Sequence, residues 1–246
     1  MPSRTAAVAI AALSAAGLLL AGCGSSDSTS STASESTTST EAPDATSSTT
    51  GPSSSTGPSS STTPTEDAAM AVFPNPAGTL RFDDPVDVAA AFATDYVGFV
   101  SPEIGDLREV DASSGQVDVR PSADGPVTVV SVRELGDSWW VLGSATANIV
   151  VSEPAPLAAV TSPLALAGTS TAFEATVDVR VREDGSTMPI GEGFVMGGAN
   201  GEMGPFTGSV TFDAASADAG AVLFTTSSME SGDIWEATVV RVTFSG

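Results

Sequence analysis

Phe173-Glu174-Ala175-Thr176-Val177-Asp178-Val179-Arg180-Val181-Arg182 alternates with a period of two almost throughout. Successive side chains of a strand point to opposite faces of its sheet. Phe173, Ala175, Val177, Val179 and Val181 are therefore expected on a buried face, and Glu174, Thr176, Asp178, Arg180 and Arg182 on a wet one. Phe206, Gly208, Val210 and Phe212 repeat the pattern further on. Ala221 to Thr225 and Thr238 to Phe244 predict two more strands, the last with Val240, Val242 and Phe244 inward. Ala158 to Thr161, Leu164 to Gly168 and Phe194 to Met196 bring the count to about seven short strands in about ninety residues. Pro154, Pro156 and Pro163 punctuate the start of this region. Residues 154–246 thus read as an immunoglobulin-like β-sandwich. With one cysteine in the chain, it must hold together without an internal disulfide.

Residues 70–153 read differently. Asp84-Pro85-Val86-Asp87 is a helix start, with Asp84 as N-cap and Pro85 at the first helical position. Val88, Ala91, Phe92, Tyr96 and Phe99 then share one face at helical spacing, and Gly98 and Ser101-Pro102 end the helix. Three strands follow: Gln116 to Arg120, Val127 to Arg133, and a long one from Trp139 to Val151 bent near Ser144-Ala145-Thr146. Asp124-Gly125-Pro126 and Gly136-Asp137 are the turns between them. The expected product is a small α+β domain, one helix on an antiparallel sheet, so the chain as a whole is mainly β.

Trp139 and Trp140 are adjacent on a predicted strand, so one ring is expected in the core and the other outside. An outward ring stacks on a sugar or peptide, or covers a helix edge or domain boundary; covering is the favoured reading. Gly191 to Gly208 is glycine-rich and carries Phe194, Met196, Met203 and Phe206. It has no Gly-Lys-Ser/Thr element, so it is not a phosphate loop. It reads as a plain mobile hairpin tip, with Phe194, Met196 and Met203 as a candidate contact patch if exposed. Asp83-Asp84, Glu183-Asp184 and Glu230 with Asp233 lack the Asp-x-Asp-x-Asp-Gly spacing of a calcium loop and read as solvated turns. No metal ligand set and no cofactor are expected.

The carboxy-terminal residues carry a resemblance. Thr161-Ser162-Pro163-Leu164, then Ala167-Gly168-Thr169-Ser170 and Phe173-Glu174-Ala175-Thr176-Val177, resemble the start of the Gmad-type immunoglobulin-like domain associated with bacterial spore-germination proteins. Gly204-Pro205-Phe206, Ser228-Met229-Glu230-Ser231-Gly232 and the strand from Glu236 to Phe244 are similar to its second half. The resemblance implies an extracytoplasmic, non-enzymatic sandwich of envelope proteins, and it transfers no catalytic residues. Trp139-Trp140-Val141-Leu142-Gly143 resembles part of the unit that precedes this domain in some actinobacterial lipoproteins.

The amino terminus fits that setting. Arg4 is followed by an apolar run from Ala6 to Leu20 and by small residues up to Cys23, a secretory layout too short for a convincing membrane span. Leu20-Ala21-Gly22-Cys23 resembles the bacterial lipobox, which implies a signal peptide over 1–22 and lipidation of Cys23. An ordinary signal peptide with an incidental cysteine is the other reading. Acyl chains at ~0.8 kcal/mol per buried CH₂ make a stable anchor on the extracytoplasmic face of the cell membrane. Residues 23–69 are rich in Ser, Thr, Pro and Gly and are expected to be a disordered tether. A flexible coil of that length spans roughly 35–40 Å.

The chain holds 30 acidic and 8 basic residues for a net charge of −22, and it has no histidine; every basic residue is an arginine. Such a chain repels phosphate, which excludes nucleic acid as a partner. Absence of histidine excludes Ser-His-Asp and Cys-His catalysis and histidine-rich zinc sites. The expectation is a lipid-anchored, non-enzymatic adaptor or binding module in the cell envelope, whose partner is an envelope protein or cell-wall glycan. The alternative is a wall-glycan hydrolase using two carboxylates.

Overall fold

The computed structural model describes residues 69–245. The expected signal peptide (1–22), Cys23 and the tether up to residue 68 lie outside the described residues. What is described is mainly β, an α+β portion running into an immunoglobulin-like sandwich.

The first helix, α1 (Pro85–Ala91), starts where expected, with an Asp84 carboxylate oxygen accepting from the Val86 and Asp87 amides at 2.8 and 3.1 Å. It does not continue as a regular α-helix to Phe99. Phe92–Val97 form a π-helical turn, and the Gly98 amide donates to the Ala93 carbonyl, five residues back, at 2.9 Å. The wider turn changes which residues face inward. Val88, Ala89, Phe92, Ala93, Val97 and Phe99 are buried, whereas Ala91 and Tyr96 are only partly so. Gly98, at φ 101°, ends the helix in the left-handed region.

Four antiparallel strands follow: β1 (Glu103–Asp111), β2 (Ser114–Arg120), β3 (Thr128–Leu135) and β4 (Ser138–Thr146). β1 was not expected from the sequence. It is an edge strand with two register shifts against β2, and only Ile104 and Leu107 pack toward the core, so it carries no period-two pattern to read. The long strand expected from Trp139 to Val151 is also corrected. It breaks after Thr146, and β5 (Ile149–Glu153) leaves to pair with β7 (Leu164–Ala172) in the sandwich.

The remaining strands are β6 (Ala158–Val160), β8 (Thr176–Glu183), β9 (Gly191–Met196), β10 (Gly198–Ala199), β11 (Gly204–Val210), β12 (Ala219–Ser227) and β13 (Ile234–Phe244). One path of pairing runs β1-β2-β3-β4-β13-β12-β8-β9, while β7 gathers β5, β10 and β11. The alternation of Val177, Val179 and Val181 into the core holds. Its expected beginning does not: Phe173 is 51% exposed and Ala175 has φ 61°, so Ala172–Ala175 make the turn into β8.

Two cores lie on opposite faces of the β12–β13 hairpin. Ala221, Leu223, Ala237 and Val239 join the core under α1, with Val117, Val119, Val130, Val132 and Val141. Val222, Phe224, Val240 and Val242 join the sandwich core, with Ile149, Leu166, Val177, Val179 and Phe206. A hairpin apolar on both faces reads as continuous rather than alternating. It also makes the helix-bearing part and the sandwich share one element.

Candidate functional site

The five aromatic and methionine residues singled out in the sequence do not form one site. Trp139 packs, partly buried, against the core under α1. Trp140, on the opposite face, is 4% exposed, and the Arg81 guanidinium lies 4.8 Å from its ring centroid. Trp140 lines a cavity of about 850 Å³ with Arg81, Asp184 and Arg241. Phe194 and Met196 are 64% and 59% exposed on the outer face of β9, beside Asp178 and Thr176 of β8. Val195 between them enters the sandwich core. Met203, 47% exposed, lies off that strand in the turn before β11. The glycine-rich stretch is not simply a hairpin tip, since most of it forms β9 and β11, which pair with β8 and β7.

Asp83, Glu230 and Asp233 are exposed, whereas Asp84, Glu183 and Asp184 are more structured than solvated turns. Asp84 caps α1. A Glu183 carboxylate oxygen accepts from the Ser216 and Ala217 amides at 2.5 and 3.2 Å. Asp184 forms a two-pronged ion pair with the buried Arg241, whose Nη2 lies 2.7 Å from Oδ2 and whose Nη1 meets Oδ1. Arg241 also donates through Nε to the Ala69 carbonyl at 3.0 Å, and its remaining contact is the Gly220 carbonyl at 3.3 Å. This is a satisfied buried charge.

A different buried charge lies at one end of the sandwich. The ladder between β4 and β13 is reduced to the pair Ser144–Val239. Side-chain hydroxyls replace the missing rungs. Ser144 Oγ donates to the Ala237 carbonyl at 3.0 Å, the Ala237 amide donates to Thr128 Oγ1 at 3.1 Å, and Thr238 Oγ1 donates to the Ile149 carbonyl at 2.8 Å. These bonds fix the start of β13 against the β4–β5 turn. Glu236 then points between the sheets, on the same face as Val240 and Val242, and is 3% exposed.

Three neutral donors hold its carboxylate. Thr146 Oγ1 and Asn148 Nδ2 donate to Oε2 at 2.6 and 3.0 Å, and Thr226 Oγ1 donates to Oε1 at 3.2 Å. Among the described residues the ion pairs are Arg108–Asp118, Arg180–Glu192 and Arg241–Asp184, so Glu236 has no cationic partner there. Around it opens a pocket of about 550 Å³. Its walls come from the β4–β5 turn (Asn148), the β7–β8 turn (Phe173), the β10–β11 turn (Asn200) and the β12–β13 turn with its flanks (Met229, Glu230, Trp235). Glycine suits that wall, since Gly201 has φ 85° in the turn that follows Asn200.

Neither Glu236 nor Trp235 stands out as a site in the sequence. A signal was present: 236 continues backward the inward set 240 and 242 of the last strand, so an acid there is an acid aimed at the core. Among the described residues no group of three or more Asp, Glu, His or Cys side chains is assembled to hold a metal ion. No described helix is long and apolar enough to cross a membrane.

No curated protein and no solved structure matches the chain. One family model does: residues 148–233 match Gmad2, the immunoglobulin-like domain of bacterial spore germination. That segment runs from the β4–β5 turn to the β12–β13 turn and so includes all four loops of the pocket, while Glu236 lies just beyond it. Over those residues the sandwich at the carboxy-terminal side of this chain is similar to a Gmad-type immunoglobulin-like domain.

Proposed function

We propose that this protein is an actinobacterial-type lipoprotein, anchored through acyl chains on Cys23 at the extracytoplasmic face of the cell membrane, and that it acts there as a non-enzymatic binding module or adaptor. The lipobox-like Leu20-Ala21-Gly22-Cys23, the secretory layout before it and the Gmad-type domain support the placement. The binding role rests on one observation above the rest: four loops at one end of the sandwich enclose a pocket floored by a buried carboxylate. Loops set on a rigid scaffold are where immunoglobulin-like domains place their contacts. The partner is another envelope protein or the wall glycan.

The test is crosslinking on intact cells together with co-sedimentation of the full-length chain, in non-ionic detergent, with cell-wall sacculi at low and high salt. Residues 68–246 hold 7 arginines and 24 acids, a charge of −17, which disfavours non-specific sticking to an anionic wall. Salt-resistant pelleting, or one recurrent crosslinked protein, is the expected result. Absence of both would remove the proposal.

A second reading, a glycan hydrolase, is favoured only by Glu230 and Glu236 lining one pocket. Both Glu236 oxygens already accept hydrogen bonds, which argues for a held group rather than a shuttling acid. Turnover of wall fragments abolished by both Glu230→Gln and Glu236→Gln would establish it over the adaptor.

A further inference from the structure

We propose that the loop-end pocket is a receptor for a primary ammonium group on an aliphatic stem, with Glu236 as its anchor. This rests on the binding-module reading and names the ligand chemistry of that site.

The argument begins with acceptor capacity. Two carboxylate oxygens offer about four acceptor positions. Oε2 takes Thr146 and Asn148, and Oε1 takes Thr226, which leaves one position on Oε1. Charge gives the next step. A buried carboxylate is costly unless a cation pairs with it. On the same strand, Arg241 meets that requirement with Asp184, whereas Glu236 has only neutral donors among the described residues. A ligand cation would complete the set.

The open position also selects the kind of cation. A guanidinium binds best as a fork across both oxygens. Oε2 is already doubly occupied, so a fork has no matching edge here. An ammonium is a compact charge with single, rotatable N–H donors and needs only the one position. The pocket walls suit the rest of such a ligand. Phe173, Met229 and Trp235 offer apolar and aromatic surface to a methylene stem, and an indole face attracts a cation. Among the described residues no arginine lines the pocket, and Glu230 adds a second negative charge to its lining. About 550 Å³ is room for a stem as well as its head.

A lysine side chain of a protein and the free side-chain amine of a wall-peptide diamino acid both carry this group. The experiment follows the Trp235 indole N–H resonance of the full-length chain in non-ionic detergent, assigned with Trp235→Phe. The probes are N-acetyl-lysine methylamide, its neutral norleucine counterpart and its arginine counterpart. The lysine probe is expected to shift the resonance saturably and to bind at least tenfold tighter than either control. Glu236→Gln is expected to weaken it at least tenfold. Met229→Ala, at an exposed rim position, keeps the test valid if the Glu236 variant does not fold, and is expected to weaken binding severalfold.

No saturable shift, equal affinity for the norleucine probe, or unaltered affinity in a folded Glu236→Gln would overturn the inference. A lysine-bearing peptide and a wall muropeptide with a free amine, titrated in parallel, then separate the two sources by which binds tighter. Sacculus pelleting and cell crosslinking of wild type and Glu236→Gln are run alongside. If both persist in the variant and no amine probe binds, the ammonium receptor falls and the binding module stands. If all fail in the wild type, both fall.

Discussion

At the scale of single residues, the molecule is defined by what its few cations do. Arg241 sits inside the fold, and among the described residues Asp184 is its only charged partner. Removing one member of a buried pair leaves the other uncompensated, at a cost of about 3–5 kcal/mol. Asp184→Asn is therefore expected to lower unfolding stability by about 3 kcal/mol in a denaturant titration, the low end because Asp184 retains some exposure.

Arg182 donates to the Tyr96 carbonyl at 2.5 Å and lies over the Tyr96 ring. Burial pushes the Tyr96 phenol above its usual value near 10, with Arg182 opposing the shift. The sign follows directly. Folding favours the neutral phenol, so this contribution is complete below about pH 10 and is lost as pH rises toward the folded value. The chain has one tyrosine, no lysine and no histidine, so phenolate absorbance reports this group alone. The expected result is a delayed phenolate transition and a stability that falls from about pH 10 upward. Tyr96→Phe should remove the tyrosine-dependent part of that fall; an undelayed transition in the folded protein would refute the burial argument.

At the scale of elements, the sequence was most readable where one residue type has one local job. Asp84-Pro85 announces its helix because the capping carboxylate and the missing proline amide both act within one turn. β8 is readable because Val177, Val179 and Val181 bury one of its faces while the residues between them do not. β1 was invisible because an edge strand with register shifts buries too little to impose a pattern. The π-turn was invisible too, since a single extra residue per turn leaves composition unchanged.

Gly143 shows how an element depends on a distant one. At φ 154° it brings β4 against β13, and a Cβ there would meet the Val239 carbonyl oxygen at 2.6 Å. That carbonyl is backbone and cannot swing aside. Gly143→Ala is expected to cost about 1–3 kcal/mol. It should also disturb the Trp235 indole resonance, because the β4–β13 contact positions the start of β13 and hence the pocket floor.

At the scale of the whole molecule, the shared hairpin dominates. Residues 154–246 taken alone would expose Ala221, Leu223, Ala237 and Val239, all buried under α1 in the intact chain. They would also lose Ile149 from the sandwich core and the Thr146 and Asn148 donors to Glu236. That fragment is expected to lack a cooperative thermal transition and to bind a hydrophobic dye. The full chain is expected to unfold in a single transition by near- and far-ultraviolet circular dichroism. Two separate transitions would show that each part folds by itself.

By itself, the sequence determined the β-rich class, the sandwich, the helix start and the inward faces of β8 and β13, because periodicity and capping are local consequences of side-chain chemistry. It also carried the Gmad-type likeness in its turn and core residues. Tertiary structure alone decided that Trp140 is covered by Arg81, that β12 and β13 serve two cores, and that loops far apart in the chain close around Glu236. Those outcomes depend on which strands meet. A hydrogen bond between Asn148 and Glu236 spans 88 residues of chain. No local pattern encodes that approach, because it is fixed only when both cores have packed.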